Sequence, residues 1–128
     1  MARKRSPDLT ETELRLMEVI WRKGKATVSE VVEAVADPSG PAYNTVLTTM
    51  TILERKGYLR HTAPKVGRAF VYHPAVSRRK AAGNAVRRLL GRFFDGSAEA
   101  LILNLIEDRK LDEAELKRVR EMFKEEQQ

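Results

Sequence analysis

The stretch Tyr43-Asn44-Thr45-Val46-Leu47-Thr48-Thr49-Met50-Thr51-Ile52-Leu53-Glu54-Arg55-Lys56 holds short hydroxyl and amide side chains at a spacing that could read a polar surface. Wound as a helix, it gathers Val46, Met50 and Leu53 on one side, with Tyr43 and Leu47 at the flank. Asn44, Thr48, Thr51 and Arg55 fall opposite, with Thr45 and Ile52 beside them. This outward face is polar yet nearly uncharged. An ordinary solvated helix face carries Glu, Lys and Arg, and threonine is a weak helix former, so stability does not explain threonines at 45, 48, 49 and 51. Contacts to base edges do. Asparagine can bond adenine bidentately, and threonine can donate, accept or offer its methyl to thymine.

A second candidate is Lys65-Val66-Gly67-Arg68, two cations around a glycine, which suits a turn laid along a phosphate backbone or in the minor groove. Arg3, Lys4 and Arg5 could touch phosphates or simply fray. Between Ser77 and Arg92 stand Arg78, Arg79, Lys80, Arg87, Arg88 and Arg92 with no acid among them, open either to DNA flanks or to acids of the last helix. The competing chemistry is a metal or acid-base site on His61 and His73. It needs a carboxylate beside them, and nothing in the sequence places one there. No catalysis, metal or cofactor is therefore expected.

These residues need elements to hold them. Thr10-Glu11-Thr12-Glu13 is a capping box that opens a helix to about Lys23, with Leu14, Met17, Ile20 and Trp21 inward, a Leu9–Leu14 staple and Gly24 as the stop. Thr27-Val28-Ser29-Glu30 repeats the box, and Val28, Val31, Val32 and Val35 make an apolar stripe. Asp37-Pro38-Ser39-Gly40-Pro41 is a turn before the third helix, which stops at Gly57. Tyr58 to Thr62 and Arg68 to His73 read as the strands of a hairpin. Three helices and a hairpin in this order predict a winged helix-turn-helix whose third helix enters the major groove. From Ser77 the helical pattern returns in three pieces. The first carries Ala82, Val86, Leu89, Leu90, Phe93 and Phe94; the second Leu101, Ile102, Leu105 and Ile106; the third, capped by Asp112, carries Leu116, Val119 and Phe123. Three such helices bury only part of their apolar surface alone, so a partner chain is expected.

Composition agrees. A chain of 128 residues, 42% hydrophobic and 33% charged, suits one domain or two small cooperating ones. No apolar run is long enough for a membrane span, and Pro7, Asp8, Glu11 and Glu13 follow Arg3-Lys4-Arg5 where a signal peptide would be apolar, so the cytoplasm is expected. The lack of cysteine excludes disulfides and thiolate metal sites. The net charge of +6 is uneven: residues 1–92 hold 18 Lys/Arg against 8 Asp/Glu, a balance of +10, and residues 93–128 hold 6 against 10, a balance of −4. A folded basic segment is the electrostatic footprint of a nucleic-acid binder.

With these residues in view, the chain resembles the penicillinase repressor family of BlaI/MecI type, through LTETELRLMEVIW, AYNTVLTTMTILERKGYL, GRAFVYHP and RFFDGSAEALILNLIED. The expected fold is mainly α with a small β-hairpin wing (α+β): a winged-helix DNA-binding domain over residues 1–76, then a three-helix dimerisation domain over 77–128. The resemblance implies a homodimeric transcriptional repressor on a palindromic operator in double-stranded DNA, controlling genes of the β-lactam-resistance or another stress-response type. By position, Tyr43, Asn44, Thr45 and Thr48 match the segment facing the major groove, and Lys65 and Arg68 fall in the wing. Thr51 and Arg55 join them from the face analysis. Ile52 departs from the pattern, since many relatives carry arginine there. Dimerisation falls to Leu89, Phe93, Leu101, Leu105, Leu116, Val119 and Phe123. Family members are released when a membrane sensor-protease pathway cuts an Asn-Phe bond, which Asn104-Leu105 matches here. Metal sensing by a cysteine cluster, as in the copper-responsive branch, is excluded. The competing function is a winged helix used only for protein–protein interaction.

Overall fold

The computed structural model describes residues 7–36 and 40–127; the basic start Arg3-Lys4-Arg5, and Asp37, Pro38 and Ser39 of the expected turn, lie outside them. The element order is α1 (Glu11–Lys23), α2 (Val28–Ala34), α3 (Tyr43–Arg55), β1 (Leu59–Thr62), β2 (Val71–Pro74), α4 (Arg78–Phe93), α5 (Ala98–Glu107) and α6 (Glu113–Glu126). The architecture is a mainly helical winged helix-turn-helix with three further helices.

Both expected capping boxes form. The Thr10 hydroxyl accepts from the Glu13 amide while the Glu13 carboxylate accepts from the Thr10 amide, and Thr27 and Glu30 do the same for α2. Gly24 closes α1 at φ +86°, a conformation that suits a residue without Cβ, and its N–H donates to the Ile20 carbonyl at 2.7 Å. Gly40 is required by close approach: a Cβ there would lie 1.8 Å from the Val35 carbonyl oxygen.

Helix α1 buries Glu13, Leu16, Met17, Val19 and Ile20, and Trp21 packs against the core, so Met17, Ile20 and Trp21 face inward as expected and Leu14 does not. Leu14 is 40% exposed, whereas Leu16 is fully buried. The reason is that Glu13 takes the first inward position of an i, i+3, i+4, i+7 stripe. It is held there by Lys56, whose ammonium donates to its carboxylate at 2.8 Å and to the Asp8 carbonyl at 3.0 Å. The Tyr58 hydroxyl donates to the Pro7 carbonyl, fastening the same segment. Leu9 packs on the core, but exposed Leu14 makes no buried staple.

Strands β1 and β2 pair antiparallel, with Leu59 opposite Pro74 and Thr62 opposite Val71. The second strand starts later than expected, so Arg68 lies in the connecting loop rather than in the ladder. Ala26, between α1 and α2, bridges Tyr72 through two backbone hydrogen bonds of 3.0 and 2.8 Å and adds a one-residue third rung. The Trp21 indole donates to the Val76 carbonyl, tying down the chain after the hairpin. Val46, Met50 and Leu53 of α3 join Val31, Leu16 and Ile20 in the core.

The chain forms two compact units, Met1–Gly83 and Asn84–Gln128. The division lies inside α4 because Ala81, and not the exposed Ala82, is buried among the first unit's residues. In the second unit no described side chain is buried: α5 and α6 contain none. Leu101, Leu105 and Leu116 are half-buried, while Leu89, Phe93, Ile102, Leu103, Ile106, Val119, Met122 and Phe123 are exposed.

Candidate nucleic-acid interface

Helix α3 begins without a side-chain cap, after Ala42, and is anchored by Val46, Met50 and Leu53. Its other side leaves Asn44, Thr45, Thr48, Thr51 and Arg55 exposed, with Ile52 half-buried. Asn44, Thr45 and Thr48, with Thr49 at the floor, line one shallow depression. The threonines differ in kind. Thr49 is buried and its hydroxyl donates to the Thr45 carbonyl at 2.7 Å, so it is a helix residue and not the contact the sequence reading made it. Thr51 is exposed, but its hydroxyl donates to the Leu47 carbonyl at 2.9 Å.

The wing loop places Lys65 and Arg68 in solvent, turning at Gly67 with φ +85°. Between this loop, the start of α2 and the first turns of α3 runs a cleft lined by Ser29, Tyr43, Leu47, Arg68, Phe70 and Tyr72, among others. Sequence reading missed Phe70, which is half exposed. Its signal was an aromatic residue just outside a glycine-centred turn. The Phe70 ring meets His61 edge-on at 5.0 Å between centroids, and His61 also leans on Tyr72.

The histidines do not combine. Arg60 faces His73 in the ladder and His61 faces Tyr72, so the two imidazoles occupy opposite faces of the hairpin. A carboxylate does stand beside one of them, against expectation: the His61 Nδ1 lies 2.5 Å from Glu54 Oε1, joining the last turn of α3 to β1. His73 instead pairs with the Thr62 hydroxyl, and partial desolvation, helped by the positive charges of Arg60 and Lys25, lowers its pKa from the ordinary histidine value. Among the described residues no three His, Asp or Glu side chains cluster as a metal site requires. Desolvation and the Glu54 charge raise the Tyr72 phenol above its ordinary range, leaving it a neutral wall of the cleft.

Of the basic run after the wing, Arg78 meets Glu18 of α1 at 3.3 Å across an exposed surface, a partner not among those expected for it. Such a pair contributes little to stability. No helix among the described residues is long and apolar enough to cross a membrane.

Residues 9–125 match the model of the family described as penicillinase repressor. The chain belongs to this family. It is 29% identical over 122 residues to the penicillinase repressor of Bacillus licheniformis, covering 95% of this chain and 94% of that protein. To the methicillin resistance regulatory protein MecI of Staphylococcus aureus it is 22% identical over 116 residues, 91% and 93% of the two chains. A solution structure described as the DNA binding domain of the repressor BlaI superposes with a TM-score of 0.50 at 32% identity, covering 61% of this chain and 93% of that one. The family match therefore extends over both compact units, and the BlaI domain over a part of the chain comparable in size to the first.

Proposed function

We propose that this chain is a DNA-binding transcriptional repressor that inserts α3 into the major groove and acts as a homodimer on a palindromic operator. The observation that carries this reading is the outward face of α3, where Asn44, Thr45 and Thr48 stand exposed around a depression lined, among the described residues, by no charged side chain, on a helix anchored in the core by Val46, Met50 and Leu53. These side chains match the donors and acceptors of base edges in the major groove. Lys65 and Arg68 suit phosphate, and Ser29 and Tyr43 put hydroxyls on the same cleft as Arg68, where a backbone strand would be gripped without reading sequence. The BlaI domain, named for DNA binding, supports the same assignment.

Packing supports the dimer. Residues 84–127 expose Phe93, Val119 and Phe123 and bury no side chain, so a second copy is the natural cover for Leu89, Leu101, Leu105 and Leu116 as well. Two linked heads make the second docking intramolecular and raise avidity by about 10² or more. The division of labour places DNA reading before about residue 76 and dimerisation after it, with α4 as the joint. Release through a membrane sensor-protease pathway would act at Asn104-Leu105. Asn104 is exposed in the middle of α5, so cutting requires that helix to open and would break the dimerising surface at its centre.

Selection of bound sequences from random DNA tests the reading. Enrichment of a palindrome with two half-sites is the expected result. No enrichment at all would refute sequence reading and leave a protein–protein interaction module.

A further inference from the structure

We propose that Thr51 and Ile52 form an apolar reading patch that selects thymine by its 5-methyl group, so that the half-site places A·T pairs under the second half of α3. The inference rests on the proposed docking of α3 and specifies what part of that helix reads. A hydroxyl has one proton, and that of Thr51 is already given to the Leu47 carbonyl. Exposed Thr51 therefore offers a base no donor, only its methyl and a remaining lone pair. Ile52, next to it, is half-buried and lies outside the main core cluster, so part of an apolar side chain faces out beside Thr51. Thr48 lies three and four residues before them and is therefore their neighbour on the helix surface. The face thus divides into a polar N-terminal half, Asn44, Thr45 and Thr48, and an apolar step at 51 and 52 before Arg55. In the major groove the one apolar feature a base pair presents is the thymine methyl.

The test uses the full chain and the operator obtained by selection, made once with thymine and once with deoxyuridine at successive half-site positions. Removing a contacted methyl should weaken wild-type binding roughly fourfold, the value of one buried methylene. Thr51→Val keeps a methyl and loses the hydroxyl; it should bind like wild type and stay sensitive to deoxyuridine. Thr51→Ser keeps the hydroxyl and loses the methyl; it should bind the thymine operator roughly fourfold more weakly and show little further loss on deoxyuridine. Ile52→Ala should behave likewise at a neighbouring position. Low-salt affinity for random DNA, equal in all variants, controls for folding. If Thr51→Val loses affinity while Thr51→Ser keeps it, Thr51 reads through its oxygen and the inference falls. Operator preference that survives deoxyuridine at every position overturns the methyl reading alone, whereas a wild-type protein with no operator preference overturns the docking of α3 with it.

Discussion

Lys56→Met should be among the most damaging single changes in the first unit, although the Lys56 side chain is buried and takes no part in the outward face of α3. Its ammonium and the Glu13 carboxylate are 2.8 Å apart, with side chains only 8% and 6% exposed. Removing one member of a buried pair leaves the other charged and desolvated, at a cost of about 3 to 5 kcal/mol. Glu13 would keep the Thr10 amide as a donor, which puts the expected loss near the lower end, about 3 kcal/mol. For a unit of this size that lowers Tm by roughly 12 to 24 °C. Trp21, the only tryptophan, lies in the first unit and reports its unfolding by fluorescence. Glu13→Gln with Lys56→Met removes both charges and should recover about 1 to 2 kcal/mol of the loss, because no buried charge remains. The pH dependence follows from Glu13. Burial raises its pKa, but the Lys56 and Thr10 hydrogen bonds and the Lys56 charge outweigh that and bring it below the ordinary 4.5. A carboxylate with a depressed folded pKa stabilises above its unfolded pKa, and that contribution is lost as pH falls through the folded value. The Glu13→Gln chain should therefore lose less stability than wild type below about pH 4.5. In Lys56→Met, protonation relieves the stranded carboxylate, so its deficit relative to wild type should narrow over the same range. A Lys56→Met protein within about 1 kcal/mol of wild type at pH 7, or a double variant no better than the sum of its parts, would refute the reasoning.

On DNA, Asn44→Ala and Thr48→Ala should each cost about 1 to 3 kcal/mol on the operator and far less on random sequence, measured by titration of both. Equal losses on the two DNAs would remove these residues from base reading. Lys65→Ala with Arg68→Ala should weaken binding to every sequence and reduce the slope of log affinity against log salt by roughly 1.8, for two phosphates released. An unchanged slope would take the wing off the backbone.

Much of the fold was legible because local chemistry dictates it. The two capping boxes fixed the starts of α1 and α2, and the valine stripe buried Val28, Val31 and Val35. What escaped depended on partners distant in sequence. Glu13 looked like a capping residue only; its second role needs Lys56, 43 residues on, and with Glu13 inward it is Leu16 and not Leu14 that is buried. The Ala26–Tyr72 bridge has no pattern of its own, since one residue cannot alternate. The site was legible as a face, from the periodicity of Val46, Met50 and Leu53, but not as chemistry: the Thr49 and Thr51 hydroxyls are returned to the helix, and helical spacing does not show which threonines are bound in this way.

The two units should also differ in what holds them together. The first owns a core in which Leu16, Met17, Ile20, Val31, Val46, Met50 and Leu53 are fully buried, so its stability should not depend on protein concentration. The second has α5 and α6 with no buried side chain, and helices of 10 and 14 residues are marginal in water without packing. If a second copy supplies that packing, folding of residues 84–127 is linked to association and must respond to dilution by mass action. Stepwise dilution through the dimer dissociation constant should lower far-UV helicity while Trp21 fluorescence stays native. Phe123→Asp, at a side chain 64% exposed in the single chain, and Leu116→Asp should give the diluted spectrum at high concentration, because a carboxylate in a dimer core must be desolvated. Both should retain weak binding to a half-site while losing the avidity gain on the full palindrome. Helicity independent of concentration, with Phe123→Asp still sedimenting as a dimer, would mean that this face is not the dimer interface, which would then lie elsewhere in the chain.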